Sequence, residues 1–246
     1  MVIASPPPAA ALVVVRARTP PLRVAHFRTT GTYPQVVGLR RVDAGLRRAV
    51  LADEHQYARY ARREKPKAGY RVEGVYSTAV DRRLLSASTV VVSALMPAKR
   101  ELFPGQSGGD DWLGIPVRAP SGVRVVLADL FASPQHGVRV LAAAWRARIR
   151  RTSAAPCLRA YPEAYAARIR NYRAFALTPR GVAVGTSEIG ACYRLVATVP
   201  YRVLRPHLSD LGSALVAGVR RPRAQRPRRR RRAAAWFARS AHRSQQ

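Results

Sequence analysis

Apolar residues at Leu46, Ala49, Val50, Tyr57, Tyr60 and Ala61 fall at helical spacing and predict a helix with one side to bury. Asp43 supplies its N-cap and Lys65-Pro66 closes it. Upstream, residues 31–38 read as a strand or extended lead-in, because Pro34 pushes Tyr33 toward β geometry. Downstream, Tyr70, Val72 and Gly74 alternate with Arg71, Glu73 and Val75, the pattern of a half-buried strand. Residues 84–95 read as a second strand, its β-branched run suited to burial on both faces.

Residues 97–114, opened by Pro97 and rich in glycine, read as loop. Residues 115–117 and 123–127 flank the turn Pro120-Ser121-Gly122 as a hairpin that Asp129-Leu130-Phe131 ends. Val138, Leu141, Ala142, Trp145 and Ile149 mark an amphipathic helix over 138–149, and a second helix covers 163–169. Another hairpin joins 175–177 to 182–184 through Thr178-Pro179-Arg180-Gly181, followed by a strand at 193–199 and a short helix at 203–211. This order predicts an α+β fold: a mainly antiparallel sheet with packed helices, in a single domain with disordered termini.

Charge adds a second theme. The 246 residues hold 44 Lys+Arg against 13 Asp+Glu, a formal net charge of +31. Lys65, Lys67 and Lys99 are the only lysines, a ratio that reflects codon composition more than guanidinium chemistry. Residues 213–246 form an arginine-rich tail with Pro/Arg low complexity, predicted to be disordered in isolation. Eleven arginines fall between Arg220 and Arg243, with Arg228, Arg229, Arg230, Arg231 and Arg232 unbroken, and these five are the candidate polyanion-binding residues. Without those eleven, 33 basic residues still face 13 acidic ones, so the body carries +20. Such a body attracts anionic polymer, membrane surface or nucleic acid without encoding which.

Residues 1–30 show little helix or strand signal, interrupted as they are by Pro6, Pro7, Pro8, Pro20 and Pro21. The apolar run at residues 9–15 is too short to cross a bilayer. It resembles the apolar part of a secretion signal, though without the basic leader, and a mis-set start codon that removed such a signal fits equally. No other segment approaches transmembrane length.

Tests for catalysis return little. Gly105-Gln106-Ser107-Gly108-Gly109 satisfies G-x-S-x-G, but the glycines and aspartates after it will not start a helix, so it reads as a glycine-rich turn. Asp110-Asp111 reads as two solvated carboxylates that point different ways. The five histidines (His26, His55, His136, His207 and His242) are scattered and there is no C-x-x-C, so no metal is expected. No phosphate-binding glycine motif supports a nucleotide, and no cofactor is expected. Cys157 and Cys192 remain open between two readings. One is a structural disulfide, for which loop closure gives about 3–4 kcal/mol; the other is a pair of buried thiols in a cytoplasmic protein.

Three strings in order resemble a known family: Tyr33-Pro34-Gln35-Val36-Val37-Gly38; Ser121-Gly122-Val123 through Leu127-Ala128-Asp129-Leu130-Phe131; and Phe175-Ala176-Leu177-Thr178-Pro179-Arg180-Gly181-Val182-Ala183-Val184 followed by Val199-Pro200-Tyr201 and Leu204. Over residues 31–212 the chain resembles the extracytoplasmic domain of RsiV-like anti-sigma factors and of secreted proteins of Gram-positive bacteria. The resemblance implies a non-enzymatic α+β module outside the membrane that binds a protein or cell-wall ligand, and it tips Cys157 and Cys192 toward a disulfide. Where that family has a Gly-Gly-Ala-His-like turn, this chain has Gly108-Gly109-Asp110-Asp111. Lysozyme, the partner of RsiV, is cationic, and a +20 body would repel it, so the ligand does not carry over. The expected function is therefore an extracytoplasmic binding module, associated with the envelope through its basic tail. The alternative is an intracellular nucleic-acid-binding protein that uses the same tail, with Trp236 and Phe237 beside it for stacking.

Overall fold

The structure is a computed structural model that describes residues 12–19, 27–68, 74–102, 106–187, 189, 192 and 194–219. It is α+β, with two sheets in which all but one of the strand pairings are antiparallel.

In the larger sheet, strand β1 (Val14–Arg18) pairs antiparallel with β2 (Phe27–Val36), inside the segment whose prolines suggested no strand. Strand β2 runs parallel to β3 (Gly74–Thr78), the one parallel pair. After β4 (Leu85–Ala87) comes β5 (Val91–Leu102), the spine of the sheet. One edge of β5 carries β4 and then β3; its other edge carries β6 (Gln106–Gly114) and β7 (Val117–Arg118).

The structure corrects two sequence readings in this sheet. The single strand expected at 84–95 is a tight hairpin, because the Ser88 hydroxyl accepts from the N–H groups of Val90 (3.2 Å) and Val91 (3.1 Å) and donates to the Val91 carbonyl (3.1 Å). The loop expected at 97–114 is the far half of β5 paired with β6. Pro97 is tolerated in this central strand because it lies where the neighbouring edge passes from β4, ending at Ala94, to β3, starting at Ala98. Gly114 marks close packing rather than a loop: a Cβ there would strike the backbone of Phe175.

Helix α1 (Arg40–Ala68) lies on this sheet, with Val42, Leu46, Ala49, Val50, Tyr57 and Ala61 buried against Tyr33, Tyr76, Met96 and Ile115. It starts three residues before Asp43, which sits in the first turn and accepts from Gln35 Nε2 at 3.2 Å instead of capping. It also runs two residues past Pro66, and Tyr60 is exposed.

The second layer is built on α2 (Pro134–Ile149), whose predicted apolar stripe is buried in full. It covers the antiparallel sheet of β8 (Ala174–Thr178), β9 (Gly181–Gly185) and β10 (Val196–Val199). Trp145 anchors it, donating from Nε1 to the Val184 carbonyl at 3.1 Å and stacking on Tyr165 with centroids 5.8 Å apart. Tyr172 meets the same indole edge-on, and this is why 163–169 is not one helix but two 3₁₀ turns, Pro162–Tyr165 and Ile169–Tyr172, each delivering a tyrosine to Trp145. Helix α3 (Ala155–Ala160) precedes them. The helix expected at 203–211 breaks around Pro206 into α4 (Tyr201–Leu204), a 3₁₀ turn and α5 (Asp210–Gly218), which Ser209 caps by accepting from Gly212 N at 2.9 Å. A small seam of Leu95, Ala174, Ala176 and Ala183 joins the two layers.

Candidate functional site

A β-bulge sets the centre of the site. Lys99 pairs with Asp110 and Glu101 with Ser107, so Arg100 faces two residues, Gly108 and Gly109, across the β5–β6 ladder. Gly108 and Gly109, in the string read as a glycine-rich turn, therefore lie at this bulge inside a strand. On the opposite edge of β5, Arg100 pairs with Tyr76 of β3, and both side chains reach Asp53 of α1. Arg100 donates to both Asp53 oxygens at 3.0 and 2.9 Å, and Tyr76 donates to Asp53 Oδ2 at 2.9 Å. The other arm of the guanidinium donates to Asp111 Oδ2 at 2.7 Å.

Asp111 was expected to be solvated; it is 8% exposed. It points inward because Asp111, Leu113 and Ile115 alternate onto one face, and Arg100 meets it there. Burial works against the charge on Arg100, but Asp53 and Asp111 outweigh it, and the guanidinium pKa is raised. Beside Asp53, Glu54 is fully buried and neither carboxylate oxygen has a hydrogen-bond partner. Burial, and next the charge of Asp53, push its pKa up to about 7.

Asp111 also lines a cleft of about 140 Å³. Its Oδ1 accepts from Ser187 Oγ at 2.7 Å and from Trp112 N–H at 2.8 Å. Arg170, Asn171 and Arg173 line it from the segment before β8, and Thr186, Ser187 and Ile189 from beyond the end of β9. Thr186 is 5% exposed and its hydroxyl oxygen has no hydrogen-bond partner. Gly185 lets the end of β9 close on Trp112, whose ring a Cβ would strike, while Arg194 lies over the indole at 5.6 Å.

Cys157 and Cys192 are joined as a disulfide, with Cα atoms 5.8 Å apart. Cys192 is further held by reciprocal backbone bonds to Ile189, each 2.9 Å. Both of these lining segments lie within the covalent loop from 157 to 192, which the crosslink closes.

The second charged feature is a groove of about 380 Å³ where Arg148 and Arg151 of the α2 end face Arg202 over Ala144, Ala147, Pro200 and Val203. The folded body thus has a basic surface of its own. Arg228, Arg229, Arg230, Arg231 and Arg232 lie outside the described residues. The fold also brings together His136 and His207, read as scattered, with ring centroids 4.8 Å apart. Among the described residues, no three His, Cys, Asp or Glu side chains are grouped to hold a metal ion, and no helix is long and apolar enough to cross a membrane.

Sequence reasoning missed Arg100, Asp53 and Glu54. A signal was present: Glu54 falls on the stripe of Leu46, Val50, Tyr57 and Ala61, a carboxylate in an apolar face.

No protein-family model matches the sequence, and no curated protein matches it. Among solved structures the chain is similar to a member of the DUF3298 family from Bacteroides fragilis, at 11% identity over 85% of this chain and 97% of that one, with a TM-score of 0.46. It is likewise similar to a DUF3298 family protein from Pseudomonas aeruginosa, at 14% identity over 84% of this chain and 96% of that one, with a TM-score of 0.48. These structural neighbours belong to a domain family of unknown function.

Proposed function

We propose that the chain is a non-enzymatic, extracytoplasmic binding module of the RsiV-like kind, which takes its ligand in the cleft lined by Asp111 and by segments of the disulfide-closed loop. The observation that carries this reading is the Cys157–Cys192 bond, whose loop holds both lining segments. Structural disulfides persist outside the cytosol, where glutathione and thioredoxin do not reduce them. A crosslink placed around a binding cleft keeps its shape before the ligand arrives, which lowers the ordering cost of binding.

The carboxylates of the site support binding over turnover. Asp53 and Asp111 are both engaged by Arg100, which fixes their orientation and occupies their oxygens. The arginine groove, with the tail, supplies attraction to an anionic envelope polymer or membrane surface.

The test is protease treatment of intact cells, followed by immunodetection. Digestion of this protein while a cytoplasmic marker survives supports the reading. Protection equal to that of the marker rejects it, and nucleic acid then becomes the partner to examine for the basic body.

A further inference from the structure

We infer that the cleft lined by Asp111, Arg170 and Arg173 binds a small α-amino acid as its zwitterion, Asp111 meeting the ammonium and Arg170 and Arg173 the carboxylate. This rests on the binding-module reading and names its ligand class.

Size sets the first limit. The cleft is about 140 Å³, and a cavity of about 150 Å³ accommodates benzene. That is room for about six to eight heavy atoms, the span from alanine to threonine.

Charge sets the second. An ionised carboxylate offers about four lone-pair sites. Asp111 uses three, on Trp112 N–H, Ser187 Oγ and Arg100, which leaves one for a ligand donor. Arg100 is shared between two carboxylates, so Asp53, Arg100 and Asp111 together retain one negative charge, and Asp111 is the member that lines the cleft. The other two charged lining residues are positive. Arg170 and Arg173 are exposed, and the neighbouring carboxylate Glu163 is taken by Arg168 at 2.7 Å. A simple anion would meet Asp111, and a simple cation would meet two guanidinium groups. A zwitterion satisfies both ends. The unpartnered hydroxyl of Thr186, which also lines the cleft, is left for a polar group of the ligand.

The experiment is calorimetric titration of the oxidised full chain with glycine, L-alanine and L-serine. L-alanine amide, which lacks the carboxylate, and propionate, which lacks the ammonium, run beside them. Saturable binding of an amino acid is expected, weakened about tenfold or more in both analogues, since each loses a charge-assisted contact. Arg173→Gln, an exposed position that should leave folding intact, is expected to weaken the amino acid and leave the amide unchanged. The inference is overturned if no amino acid binds at millimolar concentration, if either analogue binds as tightly, or if Arg173→Gln has no effect. A protein that is exposed on cells and disulfide-bonded but binds no amino acid keeps the module reading and loses only this ligand.

Discussion

Ser86 and Ser93 face each other across the β4–β5 hairpin, and together they take up both backbone polar groups of Leu177 in the other sheet. Ser93 Oγ accepts from Leu177 N–H at 2.8 Å, and Ser86 Oγ donates to its carbonyl. All three residues are buried, so the two sheets meet through satisfied hydrogen bonds as well as apolar contact. Ser93→Ala strands a buried N–H and is expected to cost about 1–3 kcal/mol in urea unfolding. Ser86→Ala should cost less, because buried carbonyls tolerate under-satisfaction better than N–H groups do.

Arg100 is the counter-charge of one buried carboxylate, Asp111, and one half-buried carboxylate, Asp53. Arg100→Met keeps much of the stem volume and leaves Asp53 and Asp111 without it. Loss of about 3–5 kcal/mol is expected, measured by denaturant titration at neutral pH.

Glu54 gives a stability profile of the opposite sign to an ion-paired acid. Its folded pKa of about 7 lies above its ordinary value of 4.5. Below 4.5 both states hold the proton and Glu54 contributes nothing; as pH rises to about 7 the unfolded chain releases it first, so stability falls. Glu54→Met is expected to raise the Tm at pH 8, by about 2–4 °C per kcal/mol recovered, and to change it little at pH 4.5. A Tm that drops at both pH values would show that the carboxyl stabilises the fold.

The sequence pattern was most informative where one periodicity controlled an element. The stripe from Val138 to Ile149 and the hairpin around Pro179-Arg180 appear in the structure as read. It misled where side-chain chemistry or a distant element decided. Ser88 turned one strand into a hairpin, and Gly108-Gly109 looked like a loop because the residue they serve, Arg100, sits on the neighbouring strand. The cleft was hidden for the same reason: Asp111, Arg173 and Thr186 lie far apart along the chain, and only the stacking of β6 against β8 and β9 brings them together.

The covalent loop makes its own prediction. Replacing both Cys157 and Cys192 by serine removes a crosslink spanning 35 residues. The expected loss is about 3–4 kcal/mol by loop closure, and amino-acid binding should weaken with it as the lining segments separate.

The most direct measurement takes the protein from its native cells, alkylates free thiols under denaturing conditions without reductant, and weighs it intact. An extracytoplasmic module should carry no label on Cys157 or Cys192 until it is reduced, and then two. Two labels before reduction would contradict the account, because free thiols at both positions place the folded chain in a reducing compartment.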